Sequence, residues 1–174
     1  MAWFRPKLSP EFEKKLEAAK DGDAQAQFEV SIEYSEGENI KRDDREALYW
    51  MMIAAENNHL EAMWRAARQL EEKPSDSNDL DKAFGWYLQS AQGGNANAMY
   101  DIAIAYKNGE LIPKNDVESA KWYLKAAENG IADAMYSIGL RFEQGWGVEK
   151  NLNQALYWIK RSRSLVVREL RGFR

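Results

Sequence analysis

Apolar residues recur along this chain at intervals of three and four, as in Phe28 and Ile32 and then Ala47, Trp50, Met51 and Ala54. That period places them on one face of an α-helix. β-branched residues are few and threonine is absent, so strands are not expected. The helical pattern itself repeats. Trp50, Trp86, Trp122 and Trp158 are spaced by thirty-six residues without drift. The same offset relates Ala26, Ala62, Ala98 and Ala134, and the small residues Ser31, Ala67, Ala103 and Gly139. It relates the pairs Ala18-Ala19, Ala54-Ala55, Ser90-Ala91 and Ala126-Ala127, and the larger residues Tyr34, Leu70, Tyr106 and Phe142. A fixed period of this length marks stacked supersecondary units.

Punctuation divides each unit into two helices. Gly22, Asn58, Gly94 and Gly130 share a column that suits a left-handed helix end, a conformation asparagine tolerates next best after glycine. Asp43, Asp79, Asn115 and Asn151 share another, where each is a good N-cap for the second helix. Glu46, Glu118 and Gln154 follow three residues later and suggest capping boxes, which Lys82 breaks in the second unit. First helices are expected near 24–36, 60–72, 96–108 and 132–144, and second helices near 44–57, 80–92, 116–128 and 152–163. Ser9-Pro10 starts an earlier helix near 10–20. The whole reads as one domain, residues 1–174: an N-terminal cap at 1–21, units at 22–57, 58–93, 94–129 and 130–163, and a basic capping segment at 164–174. In that segment Leu165, Val166, Leu170 and Phe173 have helical spacing.

These columns resemble the Sel1-like repeat, a relative of the tetratricopeptide repeat. The third unit carries the likeness best, with Gly94-Asn95-Ala96-Asn97-Ala98-Met99-Tyr100, Tyr106-Lys107-Asn108-Gly109, Ser119-Ala120-Lys121-Trp122-Tyr123 and Ala126-Ala127-Glu128-Asn129-Gly130. The fourth follows with Phe142-Glu143-Gln144-Gly145-Trp146-Gly147-Val148. The second departs from it, with Lys73 where the family has glycine and Pro74-Ser75-Asp76-Ser77-Asn78 in its loop. The resemblance implies an all-α, right-handed solenoid of about four helix-turn-helix repeats with capping helices at both ends. It also implies that first helices line a concave surface for a partner protein. The positions left there once core columns are removed are Phe28 and Ile32 in the first unit and Glu61, Trp64, Arg68 and Glu71 in the second. The third offers Tyr100, Ile104 and Lys107, and the fourth Asp133, Tyr136, Leu140 and Glu143. Trp64 and Arg68, one turn apart, are the expected anchor, since aromatic and arginine side chains dominate interface energetics. The competing role for Trp64 is packing on a neighbouring first helix. The tryptophan column is read as core.

Charge and chemistry narrow the function. The net charge is −4, yet residues 160–174 carry +5, which leaves −9 on the rest. An acidic body argues against a nucleic-acid partner and favours a basic protein face, or serves simply for solubility. Cysteine is absent, which removes disulfides and thiolate metal sites. His59 is the only histidine, and no neighbour marks it as a catalytic base. No Ser-x-x-Lys pair is present, although some relatives are linked to penicillin binding or β-lactam hydrolysis. Gly145-Trp146-Gly147 lacks the lysine end of a phosphate loop, and the acidic pairs lack an EF-hand's spacing. No catalytic residue, cofactor or metal is therefore expected. The start, Met1-Ala2-Trp3-Phe4-Arg5-Pro6-Lys7, lacks a signal-peptide core and no spanning run occurs, so a cytoplasmic protein without a membrane partner is expected. The reading is a non-catalytic binding scaffold. Its versions are an immunity protein against a cytoplasm-acting toxin and a signalling or assembly adaptor. An enzyme on cell-wall or β-lactam substrates and an end-to-end homo-oligomer are the alternatives.

Overall fold

The computed structural model describes residues 9–38, 40–74 and 77–172. Residues 1–8 of the expected N-terminal cap, Ser75 and Asp76 of the second unit's loop, and Phe173 and Arg174 lie outside the described residues. Among the described residues there are nine helices and no strand: α1 Pro10–Lys20, α2 Ala24–Glu36, α3 Asp44–Glu56, α4 Leu60–Glu72, α5 Ser77–Gln92, α6 Ala96–Asn108, α7 Asp116–Glu128, α8 Ala132–Gln144 and α9 Leu152–Gly172. They fall into two compact units, α1–α4 and α5–α9.

In the first unit each helix packs on the next in sequence. Phe12 of α1 meets Tyr34 of α2 edge-on at 5.6 Å, within a core that includes Val30 and Trp50. Alanines do much of the packing. Ala54, Ala55, Ala62, Ala66 and Ala67 have no exposed surface, because a methyl lets two helix backbones approach where a longer side chain would hold them apart. The buried Gln27 ties the turns together: its Nε2 donates to the Ala19 carbonyl and its Oε1 accepts from Asn57 Nδ2.

The second unit follows the same plan. Tyr87, Tyr123, Ile102 and Ile138 are fully buried, each side chain contributing about 1.5–3 kcal/mol, and Ala98, Ala103, Ala126, Ala127 and Ala134 fill the close approaches. Ser119, buried in α7, donates to the Ala103 carbonyl of α6 at 2.6 Å. Of the tryptophan column, Trp50, Trp86 and Trp158 are buried while Trp122 is half-buried. Cations lie over three of these rings: Lys82 over Trp86, Lys125 over Trp122 and Arg161 over Trp158.

The punctuation works as expected at most places. Gly22, Asn58, Gly94 and Gly130 have φ of 98°, 66°, 103° and 96°, and Asn58 is the one non-glycine residue of positive φ among the described residues. Asp43, Asn115 and Asn151 accept backbone N–H bonds at the starts of α3, α7 and α9. The expected capping boxes differ in their second half. The N–H of Asp43, Asn115 and Asn151 donates to the carbonyl of Tyr34, Tyr106 and Phe142 in the preceding helix. The hairpin itself supplies the acceptor that Glu46, Glu118 or Gln154 would have provided. Asp79 is also corrected. It lies in the first turn of α5, which starts at Ser77 instead of near 80. Gly37, Gly109 and Gly145 end α2, α6 and α8 in the left-handed region, whereas Lys73 ends α4 at φ −138°. A lysine resists the left-handed turn, so the chain leaves α4 by another path and shifts the next helix start. At the other end, the segment expected as a separate cap continues the last second helix into the 21-residue α9.

His59 has a structural role that the sequence did not reveal. It is the N-cap of α4, where its Nδ1 accepts from the Ala62 N–H at 3.1 Å. Its Nε2 lies 2.9 Å from Gln25 Oε1, and its ring stacks on Phe28 at 4.4 Å. Because Nδ1 accepts, the ring is the neutral Nε2–H tautomer and donates to Gln25. Burial lowers its pKa below the usual 6.5, against the opposing charges of Glu61 and Glu29. The unfolded chain therefore takes up this proton more readily than the folded one. Stability from His59 is complete above pH 6.5 and declines as pH falls through the lower folded value. In urea titrations across this range, His59→Asn keeps the cap and flattens the acid-side decline, while His59→Ala costs about 1 kcal/mol at neutral pH.

Gly147 yields a second expectation. Its φ is 71°, and an added Cβ would collide with the backbone carbonyl of Asp116 at the start of α7. Gly147→Ala should lower stability by about 2 kcal/mol or more, read as a drop in the unfolding midpoint; an unchanged midpoint would show that the loop yields freely.

Candidate functional site

The candidate positions lie on first helices, within each unit. In the first unit, Phe28 of α2 is half-buried, its ring stacked with that of His59 and 5.4 Å from the Arg65 guanidinium carbon. These contacts link α2 with His59 and α4. Ile32, also half-buried, borders a recess with Lys15 and the acidic Glu29, Glu33, Glu36 and Glu38. Lys15 binds Glu33 at 2.9 Å, and that hydrogen bond raises its pKa above the ordinary lysine value.

On α4, Trp64 is half-buried and Arg68 exposed, with the guanidinium carbon 5.6 Å from its ring centroid. The stacking holds Arg68 against the helix and reduces the rotamer freedom it would lose on binding. Both border a recess with Arg65, Gln69, Glu72 and Lys73. A second recess shares Arg65, Gln69 and Lys73 and is completed by Ser31 and Ser35 of α2 and by Asp44, Ala47, Leu48 and Met51 of α3. Arg65 is joined to Glu61 at 2.8 Å, and Glu71 is exposed. The residues bordering the first recess include three cations and one carboxylate, and with Glu61 paired to Arg65 the balance beside Trp64 is still positive, opposite in sign to the whole chain. Arg65, Gln69 and Lys73 were not singled out in the sequence, although their i, i+4 spacing puts them on one helical stripe.

In the second unit, Tyr100 of α6 is half-buried with its ring edge-on to Tyr123 at 5.7 Å. Burial raises its pKa. Ile104 and Leu140 are half-buried, as is Glu143, while Lys107 and Asp133 are exposed and Tyr136 is 47 % exposed. Below them lies a cluster that the sequence did not signal. Arg141 of α8 is buried, 5.1 Å from the Tyr123 centroid, and its Nη1 donates to the backbone carbonyls of Asp116 and Trp146 and approaches Asp116 Oδ1 at 3.5 Å. Burial pushes the Tyr123 phenol up to about 12, so it stays neutral across the physiological range. The cluster braces the Gly145–Gly147 loop on α7 and presents no reactive group. Among the described residues no group of three or more His, Cys, Asp or Glu is placed to hold a metal ion. Among the same residues no helix is long and apolar enough to cross a membrane.

The chain is similar to known proteins of this architecture. The Sel1 repeat model matches residues 24–59, 60–95, 96–131 and 132–165. None of the curated proteins matches the chain. Among solved structures, a Sel1 repeat protein from Oxalobacter formigenes superposes with a TM-score of 0.79 at 28% identity over 94% of this chain and 48% of its own. The protective antigen c5321 of uropathogenic Escherichia coli, described as having an SLR fold, does so with a TM-score of 0.78 at 27% identity over 88% of this chain and 33% of its own. This chain therefore spans about half or less of the length of these two relatives. The immunity protein Pa5087 from Pseudomonas aeruginosa shares the fold with a TM-score of 0.50 at 21% identity over 94% of this chain and 60% of its own. With paired helices throughout the described residues and four matched repeats covering most of its length, the chain belongs to the Sel1 repeat family of helical solenoids.

Proposed function

We propose that this Sel1 repeat scaffold binds a partner protein through the α4 face, with Trp64 and Arg68 as anchors and Arg65, Gln69 and Lys73 around them. The observation that carries this reading is the recess those residues border, where a half-buried indole and an exposed guanidinium stack beside two further cations. An aromatic–arginine pair already ordered on a helix is the kind of group that concentrates interface energy. The face contains no nucleophile paired with a base, so binding accounts for it better than turnover does.

Its charge indicates the chemistry of the contact. Three cations suit a partner that offers carboxylates and an apolar or planar group to the indole. The narrower reading, an immunity protein that neutralises a basic toxin, draws on the chain's overall acidity and not on this recess. It would employ acidic surface elsewhere, such as the Glu29, Glu33, Glu36 and Glu38 border of the α2 recess.

A tagged chain should retain one stoichiometric partner from its native host, and the Trp64→Ala/Arg68→Ala variant should bind that partner more than about tenfold more weakly with its helical circular dichroism unchanged. Equal affinity of the folded variant would remove α4 from the interface. A basic toxin domain retained by both proteins would move the site to the acidic recess.

A further inference from the structure

α9 presents an apolar stripe to solvent. Leu152, Leu156, Val166, Val167 and Leu170 are 59 %, 55 %, 41 %, 47 % and 67 % exposed, and at 3.6 residues per turn they fall in one sector of the helix as two patches, Leu152 with Leu156 and Val166 with Val167 and Leu170, with the exposed Arg163 between them. The stripe runs about 27 Å at 1.5 Å per residue. Within the same helix Lys160, Arg161, Arg163, Arg168 and Arg171 are all exposed, against a single acidic residue, Glu169. The adjoining side of α9 is anchored to the protein by Ala155, Trp158 and Ser162, which are buried.

The repeat register limits what can cover this stripe. Arg163 stands in the column of Ala55, Ala91 and Ala127, which are at most 2 % exposed. An arginine there holds off a helix approaching as it does in the inner repeats. A second copy stacked end to end in that register meets the same obstruction. Pairing two α9 helices would bring two sets of five cations together. An anionic surface that yields to aliphatic side chains and lets long cations reach past them to its polar layer fits this combination of groups.

We infer that α9 is an interfacial helix that docks on anionic lipid, its Leu and Val stripe entering the headgroup boundary and Lys160, Arg163 and Arg171, which lie on or beside that stripe, engaging phosphates. A surface helix needs no spanning segment, so the expectation of no membrane partner, which rested on the lack of such a segment, does not bear on it.

The test is flotation of the whole protein with vesicles of phosphatidylcholine alone or mixed with phosphatidylglycerol. Binding is expected to the mixed vesicles only, and to fall with added salt. Val167→Asp/Leu170→Asp should reduce partitioning by more than about tenfold. Lys160→Ala/Arg171→Ala, which removes cations beside the stripe and leaves the stripe intact, should reduce it about tenfold or more. Circular dichroism establishes that each variant is folded, and Trp64→Ala/Arg68→Ala should float like the parent. Absence of wild-type flotation overturns the proposal, as does equal flotation with neutral lipid or of the folded variants. Self-association that Leu170→Asp abolishes, without vesicle binding, also overturns it and assigns the stripe to a second copy.

Discussion

Close approach of helix backbones is the constraint on which the rest depends. Wherever two helices meet inside a unit, an alanine, serine or glycine lies at the contact with almost no exposed surface, as at Ala54, Ala55, Ser90, Ala126 and Ala127. At Gly139 even a Cβ would run into Ile159 and the Ala155 carbonyl. Such contacts gain dispersion from well-packed neighbours, and they lose it quickly if a side chain separates them. The aromatic residues act at the next level. They fill the wedges left once the small residues have set the distance, which is why Tyr87 and Tyr123 are fully buried while Trp122 is only half so.

Much of this was legible because the repeat is in register. Each first helix was placed from glycine, asparagine and alanine columns, since a backbone in the left-handed region or at a close contact admits few residue types. The misplaced parts follow from side chains whose role is set by tertiary context. The start of α5 moved because Lys73 replaces a turn glycine, and the effect on the path through Pro74 is not a column property. The capping boxes lost their second half to carbonyls of Tyr34, Tyr106 and Phe142, which only the folded hairpin brings near. Arg141 is buried although arginine is among the residues least expected there, because the carbonyl of the nearby Trp146 and the carbonyl of Asp116 and ring of Tyr123 from the preceding helix receive it.

The candidate surface was less readable than the core. Sequence spacing identified Trp64 and Arg68 as neighbours on a helix, and they are stacked. Overall charge pointed toward a basic partner, yet the recess beside them gathers Arg65, Arg68 and Lys73. Net charge is a sum over the whole chain, whereas a partner at van der Waals distance responds to the few groups within a screening length. Phe28 shows the opposite limit. It fits the aromatic pattern of an anchor, and its ring already contacts His59 and Arg65, partners that spacing alone does not reveal.

That arrangement around Phe28 also gives the molecule a built-in reporter. As the only histidine, His59 yields a single set of imidazole resonances, free of overlap with any other. Its ring sits in the shielding cone of Phe28, and Arg65, which borders both α4 recesses, lies over the same phenylalanine. A ligand that pulls Arg65 away and lets Phe28 shift would change the ring current at His59 without touching it. Occupancy of the α4 face thus becomes observable in the spectrum of one side chain, with no label added.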